Sequence, residues 1–423
     1  MRNVRISLVA ACLVVSLCGC PELPPIAWSP SGRYLAFLGG DDERLWIWDT
    51  EAEQATPCGL DIDEDVIQCR FLNDTDLLTF KKQGSDDSEA YWRDWTTGES
   101  WKVADRVDRW FYSAVSDDGK YLYVVREVDS AEAEGADADA EEDGLTIADA
   151  LEGAEPPKKE PGTTYALIER RLKKRAEEKV LFTYGQEMAC PGVDAARARI
   201  LVSFAEVGDR GGILLFDLAT GELQRIDVES ERRTVYYWPT WVDEHTFVSI
   251  RGFEDSHGDE ASELVLHDLR DKSTKPLCSN AYPFVPPSLT PERDEAVVIA
   301  ALPEYEENGL DADEEGAWQV AAVSLETGEK RFLTDEPFGV GAVACSPKAR
   351  RIAYTTPIEA QPHTTVHIMD MDTGRPSMIW RSEEERLLAR AIDLEQDAKP
   401  QEAADACLEL RARFPESPMA ELA

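Results

Sequence analysis

Five histidines and nine cysteines are all that this 423-residue chain offers to soft-metal or thiol chemistry. Their spacing does not favour either. No Cys-x-x-Cys pair occurs, so a thiolate zinc site has no frame. His363 and His367 stand four apart, which aims two rings at one ion on a helix but not in a strand-patterned stretch. His257 sits beside Asp255 and Asp259 in a carboxylate-rich segment that reads as a solvated loop. The chain holds neither a Gly-x-Ser-x-Gly elbow nor a Gly-x-x-x-x-Gly-Lys-Ser/Thr phosphate cradle. No catalytic residue, cofactor or resident metal is assigned on these residues, and a non-enzymatic protein is expected.

Carboxylates are the abundant chemistry. The chain has 84 Asp+Glu against 44 Lys+Arg, a formal charge of −40, which excludes a nucleic-acid surface because phosphate binding needs clustered cations. Asp137, Asp139, Glu141 and Asp143 before Gly144, and Asp311, Asp313 and Glu315 before Gly316, place carboxylates at alternate positions. Alternate oxygens can converge on one hard cation. Ala150 and Ala322 stand where an EF-hand has its closing glutamate, so the expectation is limited to weak divalent-cation binding at acidic loops. Hydrophobic content of 43% with 11 Trp, 12 Tyr and 13 Phe excludes wholesale disorder.

The N-terminus reads as an address. Arg2 and Arg5 precede an apolar run from Ile6 to Leu17, too short to span a bilayer but suited to a secretory signal. Leu17-Cys18-Gly19-Cys20 then resembles the lipobox of bacterial lipoproteins. That resemblance implies a signal over 1–19, acyl chains such as palmitate on Cys20, a short linker over 20–25, and membrane attachment facing the periplasm or exterior. Of the remaining cysteines, Cys58 and Cys69 are the first pair to suspect of a disulfide.

Two patterns recur along the chain. Ile26–Leu38, Ser113–Val125 and Ala342–Thr355 each run apolar, turn through Ser, Asp, Pro or Gly, then alternate with period two. Segments beginning at Leu45, Leu214, Leu264, Val320 and Val366 end an apolar strand in Asp or Ser and reverse through a Thr-Gly-type turn. Two such hairpins in series make a four-stranded antiparallel sheet, and repetition about an axis makes a propeller. The expected blades are 26–60, 66–104, 111–184, 187–229, 236–279, 284–334 and 339–380, seven in number, with six or eight as alternatives. Trp28, Trp110, Tyr237 and Trp238 fall near blade starts and read as packing between blades. An Ala, Glu, Asp, Gly and Pro-rich insertion over about 127–160 interrupts blade 3.

The residues Trp28-Ser29-Pro30-Ser31-Gly32 with Tyr34–Phe37, Cys345-Ser346-Pro347 with Ile352–Tyr354, and Trp48-Asp49 resemble TolB-type and WD-repeat-like propellers of bacterial envelope proteins. The resemblance covers about 26–380 and implies an all-β fold. It departs at Ala349, in place of the turn glycine, and in blade 4, which lacks a clear Ser-Pro-x-Gly turn.

Residues 381–423 change character. Leu387, Leu388, Ala391 and Leu394 recur at helical spacing, as do Ala403, Ala404, Cys407, Leu408 and Leu410 after Lys399-Pro400. With Phe414-Pro415 the segment resembles one tetratricopeptide repeat, a short helical hairpin that cannot bury its apolar face alone.

On this blade map the loops joining second and third strands are 39–43, 83–89, 127–160, 206–211, 252–263, 303–316 and 355–364. They hold 34 acidic and three basic residues, a net charge of −31. The candidate partner-binding residues are therefore Asp311, Asp313 and Glu315 on the acidic rim and Leu387, Leu388, Leu408 and Phe414 on the helical tail. The expected function is a lipid-anchored envelope scaffold for an unidentified protein partner, in assembly or transport. The alternative is a propeller enzyme or ligand sensor using its central channel.

Overall fold

A computed structural model describes residues 26–39, 44–58, 66–83, 87–108, 113–116, 118–128, 164–174, 177–194, 198–206, 210–226, 234–254, 260–305, 316–337, 339–358, 361–380 and, in the tail, 387, 391, 394 and 399–413. Strands fall into consecutive sets of four, each an antiparallel sheet in chain order. The blades span 26–57, 66–108, 113–184, 187–226, 234–279, 288–332 and 342–380. The fold is thus a seven-bladed propeller. One parallel pairing, Arg210 with Thr234, joins the sheets of blades 4 and 5.

Period-two patterning explains the packing, because successive side chains leave a strand on opposite faces. In blade 7, Ile352 and Tyr354 pack with blade 6, whereas Ala353 between them packs with blade 1. Apolar clusters fill all seven junctions, from blades 1 and 2 around Ala36, Ile47 and Leu77 to blades 7 and 1 around Trp28, Phe37 and Val366. Sheets with two apolar faces and no helical layer must be covered by other sheets, and the ring does this for each of them. Among the described residues the first and last blades exchange no strand, and side chains close the ring: Trp28 Nε1 donates to the Ala344 carbonyl at 3.1 Å. Trp238 does the same between blades 5 and 6, donating to the Pro283 carbonyl at 2.9 Å. Trp110 lies outside the described residues.

Both turn patterns form. Ser29, Ser116, Thr290 and Ser346 open the first hairpins of blades 1, 3, 6 and 7, each donating its N–H across the turn to the carbonyl five residues on. Blade 7 closes its turn without glycine, the Arg351 N–H reaching the Ala349 carbonyl at 2.7 Å. In the second hairpins, Asp49, Asp94, Asp217 and Asp370 accept the N–H groups two and three residues later. The left-handed position of this turn is Gly221 in blade 4 (φ 75°) but Glu53 in blade 1 and Lys272 in blade 5.

Two expectations change. Cys58 and Cys69 are not bridged; both are buried thiols in the blade 1–2 cluster, where they fill apolar space. In the tail, Leu387, Ala391 and Leu394 are helical among the described residues, and a helix runs over Pro400–Arg413 with Ala403, Ala406 and Leu410 buried. Ala404 and Leu408 are exposed, so the buried stripe runs through Ala406 instead. Leu387 and Ala391, before the Lys399-Pro400 turn, are also buried.

Candidate functional site

Alternating strand direction sends the second-to-third-strand loops and the blade connectors to one face, and both kinds of tight turn to the other. On the turn face charges are mixed and paired. Arg33 bonds Asp49 at 2.7 Å, and Arg350 joins blades 6 and 7 through Glu292, Asp294, Glu295 and Asp372. Hydrogen bonds hold the turn carboxylates below their ordinary range: Arg270 brings Asp268 to about 2, and Lys120 with Ser116 does the same for Asp118. This face is knitted to itself.

The strands that flank the segments carrying the net −31 end at the loop face. Asp311, Asp313 and Glu315 are among the loop residues that lie outside the described residues, as do His257, the insertion carboxylates and Cys20. Of the tail candidates, Leu408 is 62% exposed and Leu387 is 7% exposed; Leu388 and Phe414 lie outside the described residues. Leu408 is therefore exposed, and Leu387 is held inside.

Inside the ring, the inner strands of blades 2, 4 and 5 are irregular. Register shifts fall between Val66 and Gln68, between Ala189 and Gly192, and between Tyr237 and Thr240. In blades 4 and 5 the irregularity is a matched pair. Cys190 (φ 50°) precedes Pro191, and Trp238 (φ 55°) precedes Pro239. A left-handed backbone on a non-glycine residue costs about 1–3 kcal/mol and persists only where packing enforces it. Here Gly192 abuts blade 5 so closely that a Cβ would stand 1.9 Å from the Pro239 carbonyl oxygen. Bulges re-aim side chains toward sites, and a proline inside a strand pattern is their sequence signal.

Arg70 and Gln68 occupy alternate positions of the inner strand of blade 2, Val66–Phe71. Their neighbours Cys69 and Phe71 pack into the blade 1–2 cluster and Ile67 into the blade 2–3 cluster. Arg70 and Gln68 therefore lie on the face of the strand opposite Cys69 and Phe71. Its charge acts on the thiols of Cys69 and of Cys190 on blade 4. Two blades apart, such groups approach one another only across the inside of the ring. Burial pushes the Arg70 guanidinium below its ordinary range although solvent still touches the side chain, as a walled channel would do.

Several other buried titratable groups are held structurally. Burial raises the thiols of Cys58, Cys69 and Cys345 to about 12, which removes them as nucleophiles. His267 is buried, stacked on Phe247 and bonded to Ser249 at 2.8 Å. His367, stacked on Tyr354, is likewise buried, and Tyr354 donates to Glu336 at 2.7 Å. The side chain of His363 lies outside the described residues. Among the described residues no group of three His, Cys, Asp or Glu side chains is arranged to hold a metal.

No family model and no curated protein matches the chain. Solved structures do. A puromycin-hydrolysing peptidase of Mycobacterium tuberculosis aligns with TM-score 0.56 at 14% identity, over 85% of this chain and 54% of that one. An oligogalacturonate lyase of Vibrio parahaemolyticus aligns with TM-score 0.54 at 10% identity, over 83% and 92%. TolB of Acinetobacter baumannii aligns with TM-score 0.38 at 15% identity, over 74% and 67%. The chain thus spans about half the length of the peptidase it matches. At these identities the likeness extends to the propeller fold alone.

Proposed function

We propose that this chain is a lipid-anchored cell-envelope propeller that serves as a protein–protein interaction scaffold and takes a basic partner on its loop face. The observation that supports this reading is one-sided charge. The seven second-to-third-strand loops carry −31 of the chain's −40, and all leave from the same face of the ring. The turn face satisfies its charges internally. A concentrated single-sign field steers an oppositely charged partner and fixes its orientation. The lipobox-like Cys20 would hold that face near a bilayer, and no described helix is long and apolar enough to cross one.

The test uses the full chain extracted in detergent after in-cell crosslinking. A basic partner should be recovered and should dissociate as salt rises, since exposed charges are screened over about 8–10 Å at ~0.1–0.15 M. Replacing the acidic residues of 303–316 by Asn and Gln should weaken the complex. Retention at high salt, with loss only on removing residues 383–423, would move the interaction to the helical tail and sink the charge-based reading. Cys20→Ser should release the protein from membranes.

A further inference from the structure

The described part of the channel holds one feature that the acidic loop face does not account for. In a chain with 84 carboxylates, Arg70 forms no ion pair or hydrogen bond among the described residues. Gln68, two positions earlier, turns its Oε1 back to accept the Cys69 N–H at 2.9 Å. Its carbonyl is thereby occupied and its NH2 group is left to donate. Residues two apart on a strand share a face, about 6.6 Å from each other. Donors therefore stand together on one face of the inner strand of blade 2, and no carboxylate among the described residues pairs with Arg70.

We propose that Arg70 and Gln68 form a carboxylate-binding site inside the ring, and that the carboxylate is the C-terminus of an extended basic chain. A planar guanidinium matches a carboxylate with two parallel hydrogen bonds. Net charge selects what can deliver it. A protein at −40 repels a free anion before it arrives, but attracts a cationic chain that carries one. Depth favours an extended tail. For a chain entering from the acidic loop face, Arg70 lies four residues beyond Val66, roughly 13 Å along the strand and next to its turn-face end. The inference rests on the basic-partner reading above and adds the chemical group that the partner presents.

The full chain is labelled with phenylglyoxal, an arginine-specific dicarbonyl, and modification of Arg70 is quantified by peptide mass spectrometry. The probes are an oligolysine peptide with a free C-terminal carboxylate, the same peptide as its C-terminal amide, and free lysine. Arg70 should be labelled in the unliganded protein and protected by the acid peptide alone. The acid should bind at least about tenfold tighter than the amide, a difference expected of one charge-assisted pair. Arg70→Met should abolish that difference while thermal unfolding stays cooperative, and Gln68→Leu should reduce it. Failure to label Arg70, equal protection by acid and amide, or an acid preference surviving Arg70→Met would overturn the site. Equal protection by free lysine would overturn the tail and make the ligand a small zwitterion. Salt-sensitive binding of both peptides with equal affinity would sink this inference and leave the loop-face reading standing; no binding of either would remove both.

Discussion

His267 shows how a group that reads as chemistry becomes a structural one. Burial, with the charge of Arg251 second, pushes it down to about 3 from an ordinary 6.5. The unfolded chain takes up this proton below 6.5 while the folded chain refuses it until about 3. Stability contributed by the neutral ring is therefore full above that window and declines as pH falls through it. Ordinary carboxylates titrate near 4, so the upper part, about pH 6.5 to 5, belongs to the histidine. Denaturant titrations at pH 7, 6 and 5 should show falling stability in wild type. His267→Phe should lose most of that slope, at a constant cost of about 1–3 kcal/mol for stranding the buried Ser249 hydroxyl. The turn aspartates act at lower pH. With Asp118 and Asp268 held to about 2, their contribution is complete above the usual carboxylate range and is lost as pH falls toward 2.

The inner-strand bulges and the blade 3 hairpin make opposite predictions about tolerance at the scale of elements. Gly192→Ala drives a Cβ into the Pro239 carbonyl oxygen, and backbone cannot rotate away as a side chain would. The cost should exceed about 3 kcal/mol or abolish folding. Gly221→Ala meets no atom within 4 Å and pays only for its φ of 75°, about 1 kcal/mol. Thermal unfolding of the two variants side by side separates a clash from a backbone preference. In blade 3, strands Tyr121–Val128 and Thr164–Arg171 pair residue for residue out to Val128 with Thr164. Deleting 130–160 should therefore keep a cooperative transition near the wild-type temperature, because loop length changes closure entropy by only about 0.6 kcal/mol per doubling.

At the scale of the molecule, the absence of strand exchange makes the blade 7–1 junction the weak point of the ring. Among the described residues its apolar cluster has five buried members, whereas the blade 5–6 cluster has twelve. Trp28 supplies both a large buried apolar surface there and the hydrogen bond to Ala344. Trp28→Ala should cost about 3–5 kcal/mol, and hydrogen exchange should show 26–38 and 342–370 opening before blades 4 to 6. Uniform exchange around the ring would mean that closure does not depend on this seam.

Local pattern determined the repeat unit: Asp49, Asp94, Asp217 and Asp370 each cap their turns through bonds to residues two and three ahead, which sequence spacing alone dictates. The blade boundaries and the number seven follow from those units, as does the concentration of acid on the second-to-third-strand loops. Contacts between blades could not be read in this way. That Cys58 and Cys69 fill space unbridged, that Gly192 lies against Pro239, and that the charge of Arg70 on blade 2 acts on Cys190 of blade 4 all depend on how sheets distant in sequence come together about the axis. Within a strand, Arg70 is one cation in Val-Ile-Gln-Cys-Arg-Phe, indistinguishable from a surface residue. Its position inside the ring arises only on closure, because turn geometry is local while the environment of an inner strand is set by every other blade.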